Sequence, residues 1–544
     1  MSISTSVEPN AECYPMAVLP HITRLYADYL AMTDALGAVH RWYGAPPIGS
    51  GWMGRSVAVG HAEALADALR SQSLTFAAGD LALRNIELLR GGGRAVVTGQ
   101  QVGLFGGPLL TLLKAATAVA RAKEATAATG VPHVPVFWLA TEDHDLAEVD
   151  QVKLLGKHAV KTLRTGLTDA GKPVGGIRIG PGIEQCLDQA SELLAYAPIC
   201  DLLRECYTPD VTMGSAFARF MTRLFAGHGL IVMDAAGAEF HALGKSVFRA
   251  AIERAGEFED ALIVRTRELA AEGYHAQVLV KPGSSLLFLL DDATGVRNLL
   301  RRVGDNVWKA GIGTLSTSEL LDILEAEPQR LSPNALLRPV FQDTILPTAA
   351  YIGGPAEIAY FAQSEVLYRS ILGRVTPVLP RLSATLIEPA IAKVMAKNEV
   401  SLEDIFSAKT VDALAHRLGA RAMPMEEKRK LAAVGTAMDA ELTALTSYLS
   451  AVDESLGRSA LVSASKMRYQ MNRLRRMVAT FEVQKTSSIA KSAEAMVLHL
   501  FPGSNAQERV LGGAYFLAQC GDSLIDRLVD EAAEMCLGHS VIRV

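Results

Sequence analysis

The stretch from Arg94 to Asp150 limits what this chain can fold into more than any other. After the breaker Gly91-Gly92-Gly93, Ala95-Val96-Val97-Thr98 is a short apolar run rich in β-branched residues, the pattern of a buried strand. A glycine-rich turn follows, Thr98-Gly99-Gln100-Gln101-Val102-Gly103-Leu104-Phe105-Gly106-Gly107-Pro108. Pro108 suits a first helical turn, where its missing N–H has no partner to lose. From there to Lys123 the chain is rich in Leu and Ala, without an acid or a breaker, which predicts a helix that Gly130 and Pro132 end. Val134-Pro135-Val136-Phe137-Trp138-Leu139-Ala140 reads as a second buried strand, followed by Glu142-Asp143-His144-Asp145. Strand, helix and strand of these lengths form a βαβ unit, right-handed and parallel, so the fold class is α/β.

In a parallel sheet, ligands bind beyond the C-terminal strand ends, near helix N-termini. Both unusual motifs fall at such ends. The Gly99–Gly107 turn offers backbone N–H groups and a helix dipole, suited to phosphate or carboxylate, and Thr98, Gln100 and Gln101 add neutral hydrogen-bonding groups. The second strand end supplies three carboxylates and an imidazole, suited to holding an amine, steering a proton or meeting a metal. The plainer alternative is a tight turn and a solvated acidic loop. The turn lacks the Lys and Ser/Thr of a P-loop, and the spacing of Gly99, Gly103, Gly106 and Gly107 is not G-x-G-x-x-G. Nicotinamide or flavin binding in the usual mode is therefore disfavoured.

A chain of 544 residues, 49% hydrophobic and 20% charged, has material for a large core and about three or four structural units. A net charge of −5 without a long basic run argues against nucleic acid as partner. No apolar run approaches the ~20 residues that span a bilayer, and the first 30 residues lack the build of a signal peptide, so a cytoplasmic protein without membrane contact is expected. Cys13, Cys186, Cys200, Cys206, Cys520 and Cys536 show no paired spacing and read as reduced thiols.

Towards the N-terminus, Ile22, Leu25, Tyr29 and Leu36 share one helical face, Ala62 to Leu89 is a second amphipathic stretch, and Tyr26, Tyr29, Trp42 and Tyr43 read as packing residues. Residues 151–207, with a strand-like piece at Val174–Ile179 and a helix at Ile183–Ala195, look like an insertion. Residues 208–234 return to the core, with helix Ala216–Ala226, strand Leu230–Met233 and Asp234 at its end. Residues 235–330 form a second insertion: helix Glu239–Ala255, His275 ahead of strand Ser285–Leu290, and a hairpin-type turn at Asp291–Gly295. The block 331–389 then repeats the first device, because Tyr351-Ile352-Gly353-Gly354-Pro355 is again strand, glycine turn and helix start, while Arg338 and Arg381 are natural anion clamps. Two tight turns and two surface ion pairs are the alternative. Further on, Leu431, Met438, Leu445 and Val452 recur every seven residues with Leu442, Leu449 and Leu456 interleaved. After Gly457, Met467, Leu474 and Phe481 repeat the spacing with Met471 and Val478, so an antiparallel helical hairpin is expected. Its seam could be internal to one chain. Leu511–Leu537 reads as helical and Val541–Val544 as an edge strand.

These residues resemble the bacillithiol biosynthesis cysteine-adding enzyme family. The likeness rests on Thr98–Phe105, Pro135–Trp138 with Glu142–Asp145, Tyr274–Val278, Ser332–Asp343, Tyr351–Tyr360, Pro380-Arg381 with Ser383 and Thr385, and Leu500-Phe501-Pro502 with Gln507-Glu508-Arg509. The resemblance implies a Rossmann-like core in three parts (1–150, 208–234 and 331–389), two connecting insertions (151–207 and 235–330), a coiled coil over 390–502 that makes a homodimer, and a C-terminal segment 503–544. It implies a cysteine ligase that adds L-cysteine to the amine of glucosaminyl-malate, with ATP as the expected source of activation, ADP as its possible product, and Mg²⁺ only as carried by ATP. No dedicated metal site is expected. Under this reading His144 is the candidate base, Asp143 or Asp145 holds an amine, and Glu142 stands with them among the catalytic residues. Thr98, Gly99, Gln100, Gln101 and Gly103 hold the malate or activated carboxyl group. His275, Arg338, Gln342, Asp343, Tyr351, Gly353, Gly354, Glu357, Arg381 and Ser383 complete the substrate site. The alternatives are another ATP-dependent amide ligase or nucleotidyltransferase on the same core, and a non-catalytic nucleotide-binding scaffold.

Overall fold

The computed structural model describes residues 11–32, 39–534 and 536–544; Leu36 lies outside them. The chain divides into two compact units, one made of residues up to 385 with 508–542, the other of residues 386–507 with 543–544.

The first unit is built on a five-stranded parallel sheet. Its strands are β1 (Arg94–Gln100), β2 (His133–Leu139), β3 (Ile231–Asp234), β4 (Thr348–Gly353) and β5 (Val378–Pro380), and their spatial order is β3-β2-β1-β4-β5. β1 and β2 run in register from Arg94↔His133 to Gln100↔Leu139. The helix between them, α1 (Leu110–Thr129), starts two residues later than Pro108 and runs past Lys123. Its alanines explain how it sits: Ala118, Ala122 and Ala125 are fully buried against Val96, Ala350 and Ile352 of the sheet, a close approach that larger side chains would prevent. All of β2 is buried, as its unbroken apolar run requires. The expected packing aromatics are buried too, with Tyr43 donating to the Ile358 carbonyl at 2.9 Å and Tyr29 to that of Val378.

The first insertion carries a hairpin, Val152–Leu155 with Val160–Leu163, and helix Gly182–Leu193; Val174–Gly176 is a 3₁₀ turn, not a strand. In the second insertion the expected single helix is three, Ala238–Leu243, Lys245–Glu253 and Ala255–Ala271. The first break falls at Gly244, where a Cβ would stand 2.1 Å from the Phe341 ring. The turn at Asp291–Gly295 does join two antiparallel strands, Ser284–Leu290 and Arg297–Gly304, and three further short strands extend them into a five-stranded antiparallel sheet. After β4 the chain enters α3 (Pro355–Leu372) with Pro355 in its first turn, and α2 (Arg338–Ile345) precedes β4.

Two expectations about the ends are corrected. His539–Arg543 is the middle strand of a three-stranded sheet, not an edge, with Ala11–Tyr14 antiparallel on one side. That pairing sets Tyr14 opposite His539 and joins Cys13 to Cys536 in a disulfide, so two of the six cysteines are not thiols. They lie 523 residues apart, and no local spacing announces a pair made by tertiary folding. Cys186 and Cys206 remain buried thiols that burial pushes up to about 11, far from the thiolate form.

The second unit is helical. Its long pair, α4 (Met425–Val452) and α5 (Glu454–Lys485), is the expected hairpin, but the joint is Asp453, whose side chain caps α5 by accepting from the Leu456 N–H at 2.9 Å. Gly457 lies inside α5 at the crossing, where a Cβ would come within 2.6 Å of the Ser450 Cα. The seam of the hairpin is made by Gly435, Leu442, Thr446, Ala464 and Met471, while Leu445, Val452, Leu456, Met467, Leu474 and Phe481 are exposed. Among the described residues no helix is long and apolar enough to cross a membrane.

Candidate functional site

The strand order reverses between β1 and β4. There the connections leave in opposite directions, and the C-terminal strand ends open onto a crevice. A cavity of about 730 Å³ occupies it. Gly99, Gln100 and Gln101 from β1, and Glu142, Asp143 and His144 after β2, form two sides. Arg338, Tyr351, Gly354, Glu357 and Tyr360 form the third, with Lys114 of α1 at the base. Phe288 and Arg297 of the antiparallel sheet and Arg509 of the C-terminal segment close the rest.

One wall is cationic. Lys114 reaches from the second turn of α1 to the Gly99 carbonyl at 2.8 Å, Gln100 Oε1 at 2.9 Å and Glu357 Oε2 at 2.6 Å. Burial draws the Lys114 ammonium down from its ordinary value, against the pull of Glu357. Burial would raise the Glu357 carboxyl, but Lys114, the Tyr351 hydroxyl (2.5 Å) and the Gly354 N–H (2.8 Å) together hold it below the ordinary value. Among the described residues the hydrogen bonds of the Arg338 guanidinium go to Tyr360 at 2.8 Å, Gln342 at 3.0 Å and Tyr351 at 3.4 Å, with the Glu357 carboxylate near enough to act on it electrostatically. Arg509 has no ion-pair partner among the described residues.

Carboxylates enter from the chain after β2. Glu142 stands 2.9 Å from Nε2 of the fully buried His241. Asp143 is held through both oxygens, Oδ2 accepting from the Gln101 amide at 2.6 Å and Oδ1 from the His144 N–H at 2.7 Å. His144 lies beside the Phe288 ring, and Arg297 Nη1 is 3.3 Å from its Nδ1. Burial lowers the pKa of Arg297, with Glu142 and Asp143 opposing.

Several expected residues do other work. Arg381 is buried and forked onto Glu508 at 2.5 and 3.0 Å, and Ser383 donates to the same carboxylate and meets His539 Nδ1 at 2.8 Å. Both are committed to a structural network that Glu508 organises, not free to clamp an anion. The Gly99–Gly107 turn is packed shut: the N–H of Gly103 bonds Gln101, that of Gly106 the Tyr207 hydroxyl, and that of Gly107 Leu104. Gly106 (φ +84°) lies so close to Phe220 that a Cβ would come within 2.6 Å of the ring. The second helix start is filled by its own Glu357. Thr98 is buried and ties β1 to β4 through the Ile352 carbonyl, while Gln342 and Asp343 are buried behind Arg338, with Tyr368 donating to Asp343 at 2.5 Å. Gly353 ends β4, its carbonyl taken by the Arg381 N–H at 3.0 Å. Asp145 is exposed and caps helix Leu146–Val149, and His275 is exposed and outside the cavity lining.

The sequence reading missed Lys114, Arg297, Tyr360, Phe288, His241 and Arg509 as site residues. A lysine within the alanine- and leucine-rich helix α1, buried in the structure, was the one available signal, since a buried lysine needs a partner.

Strand order, switch-point cavity and helical hairpin define a Rossmann-like α/β protein carrying a coiled-coil unit. Residues 16–382 match the family model described as bacillithiol biosynthesis BshC, N-terminal Rossmann-like domain, and residues 384–544 match its C-terminal coiled-coil domain. The chain is 44% identical to a protein of Koribacter versatilis over 98% of this chain and 99% of the relative. It is 35% identical to one of Solibacter usitatus over 98% and 99%, and 32% identical to one of Salinibacter ruber over 97% and 98%. All three carry the name "Putative cysteine ligase BshC". The chain belongs to the bacillithiol biosynthesis BshC family and is a ligase.

Proposed function

We propose that the enzyme joins the carboxyl group of L-cysteine to the amine of glucosaminyl-malate, forming bacillithiol. The observation that carries this reading is a single cavity lined both by cations, Lys114, Arg338 and Arg509, and by the carboxylates Glu142 and Asp143, with Glu357 paired to Lys114 and Arg297 beside His144. A substrate with carboxylates at one end and an amine at the other matches that lining. Arg338 and Arg509 hold the malate carboxylates, and Asp143 holds the amine.

A carboxylate and an amine do not condense unaided in water, so the reading includes ATP. The cysteine carboxylate attacks phosphorus and displaces pyrophosphate or ADP. The amine then attacks the acyl carbon, loses a proton to a lining carboxylate, and expels AMP or phosphate. Mg²⁺ enters on the ATP phosphates. The cationic wall suits phosphate as well as carboxylate, and the cavity is of a size usual for small-ligand sites. The same reading includes a homodimer through α4 and α5, supported by the apolar stripe they leave exposed.

The test is incubation of the pure protein with cysteine, glucosaminyl-malate and ATP, scoring new thiol and nucleotide product together. One nucleotide cleaved per thiol formed is expected. Arg338→Ala is expected to raise KM for glucosaminyl-malate about tenfold or more, the worth of a charge-assisted hydrogen bond, with melting temperature held. Equal thiol formation without nucleotide removes ATP from the scheme, and turnover only with another acid and amine replaces the substrate pair. No turnover at all leaves a scaffold.

A further inference from the structure

We infer that Arg297, contributed by the second insertion, is a positioning residue that holds His144 as the neutral tautomer protonated on Nε2, so that His144 works as a hydrogen-bond donor and not as the base.

Arg297 has little freedom of its own. Its Nε donates to Ser332 Oγ at 2.8 Å, its Nη2 to the Pro333 carbonyl at 2.8 Å, and its guanidinium lies 3.8 Å from the centroid of the Phe288 ring. The Arg297 backbone N–H is fixed as well, on the Gly171 carbonyl at 2.8 Å. Nη1, on the side of the fork left open, meets His144 Nδ1 at 3.3 Å. A guanidinium carries donors only and does not lose its proton in a protein, so the atom facing it must accept. Nδ1 therefore presents its lone pair, and the neutral ring carries its proton on Nε2. A proton on Nδ1 would set N–H against N–H.

The other charges around the ring do not reverse this. Asp143 Oδ1 is 3.8 Å from Nδ1, too far for a hydrogen bond, and already accepts the His144 backbone N–H. Glu142 faces His241. A fixed cation faces the nitrogen that a general base of this geometry would use to take a proton. With Nε2–H as a donor at the cavity wall, His144 suits an oxygen that gains negative charge, such as that of an acyl group under attack. The identity of that oxygen rests on the ligase reading above; the tautomer does not.

The experiment is nitrogen–proton correlation NMR of the full chain labelled with ¹⁵N-histidine at pH 8, with His144→Gln to assign the resonance, beside steady-state kinetics of Arg297→Met. The expected result is a His144 spectrum with Nε2 protonated and Nδ1 bare. Arg297→Met is expected to mix the two tautomers and to lower kcat at least about tenfold, as a histidine held in the wrong tautomer does, with KM within about twofold. A wild-type spectrum with Nδ1 protonated overturns the inference, and so does an Arg297→Met spectrum and kcat unchanged from wild type. If no ligation occurs in any variant while the Nε2–H spectrum is found, the tautomer stands and the ligase reading falls.

Discussion

His539 shows burial as the main influence on a side chain's protonation, with nearby charges adjusting it. Its Nδ1 meets Ser383 at 2.8 Å and its Nε2 meets Thr385 at 2.7 Å, and burial lowers the imidazole from the usual 6.5 to about 4, with Glu508 opposing. Between those values the unfolded chain binds more protons than the folded one. Stability is therefore complete above about 6.5 and is lost as pH falls from there towards 4. The loss through this group is up to about 3 kcal/mol. Urea unfolding at pH 7, 6, 5 and 4.5 should show the decline. His539→Gln, which keeps a donor and an acceptor for the two hydroxyls, should flatten it, and an unchanged slope would mean that other groups carry the acid sensitivity. The same network explains why Arg381 looked like a ligand clamp. An arginine after a strand end is a sound signal for anion binding, but Glu508 arrives from 127 residues away to take it.

The hairpin of α4 and α5 was visible as a heptad pattern because helix period and apolar spacing are local properties. Which apolar residues form the internal seam was not visible. Small residues, Gly435, Ala464 and Gly457, let the two helices approach, and the bulkier Leu445, Met467, Leu474 and Phe481 are left outward. A stripe of that kind is unfavourable in water unless something covers it. A second copy is the occupant that the proposed homodimer supplies. Light scattering behind size-exclusion chromatography should give twice the mass of the 58.1 kDa chain. Leu445→Glu with Leu474→Glu should give a monomer with unchanged helical content. A wild-type monomer at micromolar concentration would remove the homodimer.

For the whole molecule, the distant ends matter most. Cys13 and Cys536 close nearly the entire chain into one covalent loop, and a crosslink of that span restricts the unfolded state strongly. Cys13→Ser should lower unfolding free energy by about 2–4 kcal/mol in oxidised protein. Dithiothreitol should have the same effect on the wild type and none on the variant. A wild type insensitive to dithiothreitol, with two reactive thiols in the folded state, would show that the bond is not formed in solution.

Length, the βαβ grammar of Arg94–Asp150, its repeat at Tyr351–Pro355 and the heptads were legible in the residues because each is a pattern within a few turns of chain. They sufficed for a parallel α/β core, the strand ends at which its cavity opens and the helical hairpin. Whether a polar group in that crevice is free to meet a ligand was decided only by tertiary structure. Both glycine turns offered N–H groups on paper, yet Tyr207 and Glu357 take them. Arg381 and Arg338 looked alike, yet one is forked onto Glu508 while the hydrogen bonds of the other, among the described residues, go to hydroxyls and an amide. Lys114 and Arg297 reach the site from a buried helix face and from an insertion. The physical reason is common to all of these cases: a buried polar group must find a partner, and partners hundreds of residues apart are brought together only by the completed fold.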